Sequence, residues 1–123
     1  MPYILLIEDN QANADMIIHI LSTNGFQVRH FLRGLAGAKA ARQDKPGLIL
    51  MDFNLPDIDG RTLALLLKKQ LGGDVPIVAC TARTGDAEVR KAASFGCSAF
   101  LSKPFMPEEL LALVNEMLKD RST

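Results

Sequence analysis

Five short apolar runs alternate with five segments of helical spacing, and that alternation restricts the fold more tightly than any other feature of the chain. The runs are Tyr3 to Ile7, Gln27 to Phe31, Leu48 to Met51, Ile77 to Cys80 and Ala99 to Ser102; each is short, mainly apolar and rich in β-branched or aromatic residues, so each reads as a strand. Between and after them lie segments with helical spacing: Ala12, Met16, Ile17, Ile20 and Leu21; Leu35, Ala38, Lys39 and Ala41; Leu63, Leu66, Leu67 and Leu71; Ala92, Ala93 and Phe95; and Leu110, Leu113, Val114 and Met117. These spacings predict five helices. Asn24-Gly25, Lys45-Pro46-Gly47 and Gly72-Gly73 terminate segments, and Pro107 followed by Glu108-Glu109 suits a first helical turn. Strands separated by helices need crossover connections, and right-handed crossovers place helices on both faces of a parallel sheet. The third and fourth runs, apolar at nearly every position, fit strands buried on both sides. The expected fold is therefore α/β, a doubly wound five-stranded parallel sheet with five helices, formed as a single domain over residues 1–123.

Composition narrows the function classes. Fourteen Lys plus Arg balance fourteen Asp plus Glu in 123 residues, so no net field draws the chain to nucleic acid or to an anionic membrane. No apolar stretch approaches spanning length and the amino terminus lacks a basic region, which gives the expectation of a cytoplasmic protein. Cys80 and Cys97 lack metal-ligand spacing and read as reduced packing residues.

In a parallel α/β sheet, ligands bind outside the carboxyl ends of the strands, near the point where strand order reverses. Residues at those ends are Glu8-Asp9 after the first strand, Asp52 after the third, Thr81-Ala82 after the fourth and Lys103-Pro104 after the fifth. Each has an ordinary structural reading: a solvated loop, a turn residue, a local hydroxyl, a surface charge. Together they put three acids, a hydroxyl and a lysine on one rim. Two like charges about 4 Å apart repel by roughly 4 kcal/mol at an effective dielectric near 20, so a cation must hold the acids together. An oxygen-seeking divalent ion, Mg²⁺, suits Glu8, Asp9 and Asp52, with Lys103 as a fixed neighbour. Zinc suits them less, because His19 and His30 fall within predicted elements and no cysteine joins the rim. A divalent cation, a lysine and a hydroxyl around an aspartate are the parts of a phosphoryl-transfer site in which the aspartate is the nucleophile and the product an aspartyl phosphate.

At these residues the chain resembles the receiver domain of two-component response regulators. "LLIEDN" is similar to the family's first-strand acid pair, "LILMDFNLPDIDG" to its phospho-acceptor segment, "IVACTA" to its hydroxyl segment and "FLSKPF" to its lysine-proline segment, in the family's order. The resemblance implies the flavodoxin-like strand order 2-1-3-4-5 and Asp52 as phospho-acceptor. It implies Glu8, Asp9, Asp52 and the backbone carbonyl of Asn54 as Mg²⁺ ligands, Thr81 and the Ala82 N–H as phosphoryl donors, and Lys103 as phosphate partner. A cis peptide between Lys103 and Pro104 belongs to the same pattern. Phe100 stands at the family's aromatic switch position beside the switch hydroxyl of Thr81. Partners implied are a histidine kinase or a histidine phosphotransfer protein, and a downstream protein target on the surface of the fourth predicted helix, fifth strand and fifth predicted helix. The protein is then no enzyme toward other molecules; it catalyses only its own phosphorylation and dephosphorylation. Because the sequence ends at Arg121-Ser122-Thr123, soon after the last predicted helix, a stand-alone receiver acting through protein contact is expected. The alternatives are a phosphate shuttle in a relay, to which "EDNQAN" is similar, or the excised receiver of a hybrid kinase.

Two other classes share parts of this pattern. A phosphohydrolase of the haloacid dehalogenase type also uses a nucleophilic aspartate and Mg²⁺, but places a second acid two residues on, where this chain has Asn54. A flavodoxin-like electron carrier would meet Glu8 and Asp9 in the turn that should cradle its phosphate.

Overall fold

A computed structural model describes residues 3–53, 55–81, 90 and 95–119 of the chain. Its elements are β1 (Ile4–Ile7), α1 (Gln11–Ser22), β2 (Val28–Phe31), α2 (Gly34–Gln43), β3 (Leu48–Asp52), α3 (Gly60–Leu71), β4 (Ile77–Thr81), β5 (Ala99–Ser102) and α4 (Pro107–Lys119). All strands are parallel, in the order β2-β1-β3-β4-β5. The expected sheet and its strand order are present. Four helices lie among the described residues, and α4 corresponds to the fifth predicted helix. Ala92 and Ala93 of the fourth predicted helix lie outside the described residues, whereas Phe95, expected in that helix, sits in a turn with Gly96.

Period-2 alternation divides the core in two. Ile4 and Leu6 of β1, Leu48 and Leu50 of β3, and Val78 and Cys80 of β4 face α1 and α4, meeting Ile17, Leu21, Leu110 and Val114. The intervening Leu5, Ile7, Ile49, Met51 and Ile77 face α2 and α3, meeting Ala38, Ala41, Leu63 and Leu67. Every residue of β1, β3 and β4 is buried, as strands covered on both faces require. Fully burying a leucine such as Leu63 or Leu67 contributes about 1.5–3 kcal/mol.

The helices turn a narrower face inward than the sequence spacing predicts. In α1 the buried stripe is Ala14, Ile17, Ile20 and Leu21, and Met16 is 45% exposed. In α2 it is Gly34, Gly37, Ala38 and Ala41, leaving Leu35 52% exposed. Small residues allow α2 to lie close on the sheet: a Cβ at Gly37 would stand 2.7 Å from Ile7 Cδ1. In α3, Gly60, Leu63, Ala64 and Leu67 are buried and Leu66 turns outward. The inward sets of α2 and α3 follow the i, i+3, i+4, i+7 rule and that of α1 runs i, i+3, i+6, i+7; Leu35 and Leu66, each next in sequence to a buried residue, lie about 100° around the helix axis. Caps fix the helix ends, with Gly25 and Gly72 standing where the sequence places terminations. Asn10 Oδ1 accepts from Asn13 N–H at 2.9 Å to start α1, Gly25 (φ 89°) follows its end, and Gly72 (φ 79°) closes α3.

Candidate functional site

Register brings the acids to one rim. Ile7 of β1 pairs with Met51 of β3, so one step further along both strands sets Glu8 beside Asp52. Alternation then decides which way they face: Glu8 continues the line of Ile4 and Leu6, Asp52 that of Leu48 and Leu50, and Lys103 that of Leu101, all toward the side of α1 and α4. Thr81 and Phe100 have the opposite parity. Thr81 closes β4 opposite Ser102, and Phe100 pairs with Ala79.

Lys103 bridges two strand ends. Its Nζ donates to Glu8 Oε1 at 2.7 Å and to Asp52 Oδ2 at 3.2 Å. Glu8 is 1% exposed and Asp52 7%, which places both carboxylates where unpaired charge is costly. Asp9 is exposed, yet carboxylate oxygens of Glu8, Asp9 and Asp52 lie within 4.8 Å of one another. Burial pushes the Glu8 carboxyl above its ordinary pKa, against the hydrogen bonds from Lys103 and from Asn10 N–H. Burial also acts to lower Lys103, but the hydrogen bond to Glu8 and the charge of Asp52 outweigh it and hold the ammonium above the ordinary lysine value. Lys103 therefore stays charged.

One ammonium among three carboxylates leaves two negative charges in surplus. That surplus, and a donor set made only of carboxylate oxygen, fits a hard divalent cation of the Mg²⁺ kind. The neighbouring thiol is a poor competitor: burial pushes Cys80 up to about 12, and Cys97 up to about 11, so both remain protonated near neutrality.

The sequence-predicted residues thus divide into three groups. Glu8, Asp9, Asp52 and Lys103 are gathered within ion-pair or ligand reach. Thr81 is buried at the end of the adjacent strand, and its backbone carbonyl accepts from Lys103 N–H at 2.9 Å. Asn54 and Ala82 lie outside the described residues. The Lys103–Pro104 peptide is cis.

Two features that carried no role in the sequence attach to this site. His30, read from sequence only as part of a predicted element, has its Nε2 2.8 Å from the carbonyl oxygen of Glu8. A carbonyl only accepts, so Nε2 carries the hydrogen. With Glu8 N–H donating to Phe31 O at 3.1 Å, β2 holds both backbone groups of the first acid. Met16 and Ile17 of α1, with Asn13, Lys103, Pro104 and Phe105, line a cavity of about 360 Å³ beside the acids.

Comparison with known proteins agrees with this geometry. The model of the response regulator receiver domain matches residues 4–115. The chain is 37% identical over 116 residues to hybrid signal transduction histidine kinase G of Dictyostelium discoideum, a match covering 91% of this chain and 3% of that protein. It is 34% identical over 114 residues to the transcriptional regulatory protein CreB of Escherichia coli (strain K12), covering 93% of this chain and 49% of CreB. The chain thus spans about half of CreB and a small part of the kinase. Among solved structures, the receiver domain of sensor histidine kinase PA1611 from Pseudomonas aeruginosa PAO1, which has a magnesium ion coordinated in its active site cleft, superposes with a TM-score of 0.87 at 30% identity, covering 96% of this chain and 98% of that one. With the receiver model matched from β1 into α4 and the acids and lysine gathered on the rim where β1, β3 and β5 end, the chain belongs to the response regulator receiver domain family.

Proposed function

We propose that Asp52 accepts a phosphoryl group from a phosphohistidine on a histidine kinase or histidine phosphotransfer protein, in a Mg²⁺-dependent reaction, and that the domain signals by changing conformation. The observation that carries this reading is the buried Asp52 carboxylate, 3.2 Å from Lys103 Nζ and grouped with Glu8 and Asp9. An Asp52 carboxylate oxygen forms a bond to phosphorus as the phosphorus–nitrogen bond breaks, and the bonding pair leaves with the imidazole nitrogen. Lys103 meets the charge on the transferring oxygens, and Glu8, Asp9 and Asp52 would hold a divalent ion that would supply the remaining neutralisation. Asp52 needs no general base, because a carboxylate is already the nucleophilic form. The domain acts on no other substrate: it makes and loses its own acyl phosphate.

Thr81 and Phe100 are assigned the response. The phosphoryl group adds roughly −1.5 to −2 charge and new acceptor oxygens, which draw the Thr81 hydroxyl and the Ala82 N–H and free space for the Phe100 ring. One charge-assisted hydrogen bond contributes about 1.5–3 kcal/mol, whereas reversing a 1:99 equilibrium to 99:1 takes about 5.5 kcal/mol. Thr81 alone therefore falls short, and Lys103 and a bound target supply the rest. The target is a protein that meets β5, α4 and the chain preceding β5.

Incubation with acetyl phosphate and Mg²⁺ followed by intact-mass measurement tests the reading. Wild type should gain one phosphoryl group and Asp52→Asn none; equal labelling of the variant would refute it. The 37% identity to a hybrid kinase favours a second reading, in which the phosphoryl group passes onward to a histidine phosphotransfer protein. Loss of label from the phosphorylated chain to such a protein would distinguish the relay from a terminal switch.

A further inference from the structure

Helix α2 begins without a cap of its own. Arg33 at its N-cap makes no side-chain hydrogen bond to the helix, although the first N–H groups of a helix need acceptors from elsewhere. They find them in Asp57, which is 23 residues further along the chain: Gly34 N–H donates to Asp57 Oδ1 at 2.9 Å and Leu35 N–H to Asp57 Oδ2 at 3.0 Å. Asp57 belongs to the loop that leaves β3 directly after Asp52 and leads into α3. Both carboxylate oxygens are used, so the contact is a two-point clamp and not a single cap.

The surrounding packing seats the same loop on the same helix end. Gly34 is buried, and a Cβ there would lie 2.5 Å from Ile58 Cγ2 and 3.1 Å from Leu55 Cδ1. Residues on either side of Asp57 thus press against the start of α2 through a gap that only glycine leaves open. At the loop's base, Gly60 N–H donates to Phe53 O at 3.2 Å. The loop is closed at its base beside Asp52 and fastened at its tip to a helix outside the sheet. Loss of water acts to raise the Asp57 carboxyl, but N–H donation from Leu35 and Gly34 outweighs it and holds the group below the ordinary aspartate range, as expected of an acid that works in its ionised form.

We infer that Asp57 is a positioning residue: by clamping the first N–H groups of α2 it steadies the chain that leaves β3 after Asp52, and with it the Asp52 carboxylate that the divalent-cation site shares with Glu8 and Asp9. The inference rests on the proposed Mg²⁺-dependent function. Asp57 touches neither the ion nor the phosphoryl group; it acts through the backbone that follows Asp52. Asparagine cannot replace it, because one oxygen becomes an amide NH₂ that would face a backbone N–H.

Calorimetric titration of the full chain with MgCl₂ tests this, at high ionic strength so that loss of a formal charge alone is screened. Tyr3→Phe is the control. It removes the hydrogen bond from Tyr3 Oη to Asp44 O, which lies where β1 begins, at the end of the sheet away from the acids. Asp57→Ala should weaken Mg²⁺ binding about tenfold, the lower end for residues that support metal ligands, and Asp57→Asn by a smaller factor in the same direction. Tyr3→Phe should lower the melting temperature and leave the Mg²⁺ affinity unchanged. Should the alanine variant not fold, the asparagine variant decides. Wild-type affinity in the folded Asp57 variants, or equal weakening in Tyr3→Phe, overturns the inference alone. A wild-type chain that does not bind Mg²⁺ overturns the proposed function and this inference with it.

Discussion

Lys103 and Glu8, 95 residues apart in the chain, meet in a 2.7 Å ion pair in which the glutamate side chain is only 2% exposed. The same ammonium reaches Asp52, so a single cation on β5's exit holds the exits of β1 and β3 together. A lysine in that position both stabilises the rim and competes with any ion the acids would bind.

Lys103→Met separates those two effects. Without divalent ions it takes from two buried carboxylates the ammonium that bridges them, and removing one partner of a buried pair costs about 3 kcal/mol or more. Mg²⁺ should then restore more stability to the variant than it adds to wild type, because the ion takes over the charge that lysine supplied. Melting temperatures with and without MgCl₂ check this. A variant as stable as wild type in the presence of chelator would contradict it.

Asp9→Asn should move stability in opposite directions with and without metal. Asp9 is exposed and close to Glu8 and Asp52, so in chelator its removal relieves repulsion worth about 1 kcal/mol in a watery setting. With Mg²⁺ present, loss of one carboxylate ligand should lower affinity about tenfold, or about 1.4 kcal/mol. Urea denaturation in chelator and titration calorimetry with MgCl₂ give the two signs. A variant less stable than wild type in chelator would show that Asp9 is held by attraction and not merely tolerated.

Much of this site was legible from residue order because strand ends converge by rule. Once the apolar runs were read as parallel strands, Glu8, Asp9, Asp52 and Lys103 had to share a rim, and the ion pairs of Lys103 with Glu8 and Asp52 follow from that convergence. Helix faces were less legible. Leu35 and Leu66 have acceptable helical spacing, yet face outward, because the close packing of α2 and α3 selects stripes containing Gly34, Gly37 and Gly60, which carry no hydrophobic signal. His30 was missed since its role is to meet a backbone carbonyl, and no side-chain motif encodes that. Asp57 drew no reading for the same reason: its partners are N–H groups of a helix that its sequence neighbourhood does not contain.

Gly60→Ala sets two opposing magnitudes against each other. Alanine in a helix is favoured over glycine by about 1 kcal/mol where space is open. At Gly60 it is not, since a Cβ would stand 2.5 Å from Phe53 Cα and 2.8 Å from Phe53 O. Backbone next to Asp52 would have to move, and overpacking of this kind costs about 3 kcal/mol, so the variant should be destabilised by about 2 kcal/mol net. Chemical denaturation measures it. A stabilised Gly60→Ala would mean that the β3–α3 loop yields easily, which would weaken the case for a fixed cation site.

Acid titration gives a signature of the Asp57 clamp that needs no metal. Its folded-state pKa lies below the ordinary aspartate value of 3.8, with water loss raising it and the N–H groups of Leu35 and Gly34 lowering it further than that. A group whose pKa falls on folding stabilises the native state above the unfolded pKa and loses that contribution as pH drops through the folded value. The asparagine introduced by Asp57→Asn resembles the protonated acid, having one carbonyl acceptor and one donor group, so the variant isolates the contribution of the ionised form. In chelator, wild type should exceed the variant by about 1 kcal/mol near neutrality, the net worth of one hydrogen bond. The gap should stay constant down to about pH 5 and close below about pH 4 as Asp57 takes up its proton. Urea denaturation of both proteins across that range reads it directly, and a gap that persists unchanged at the lowest pH would show that Asp57 holds α2 by shape and not by charge.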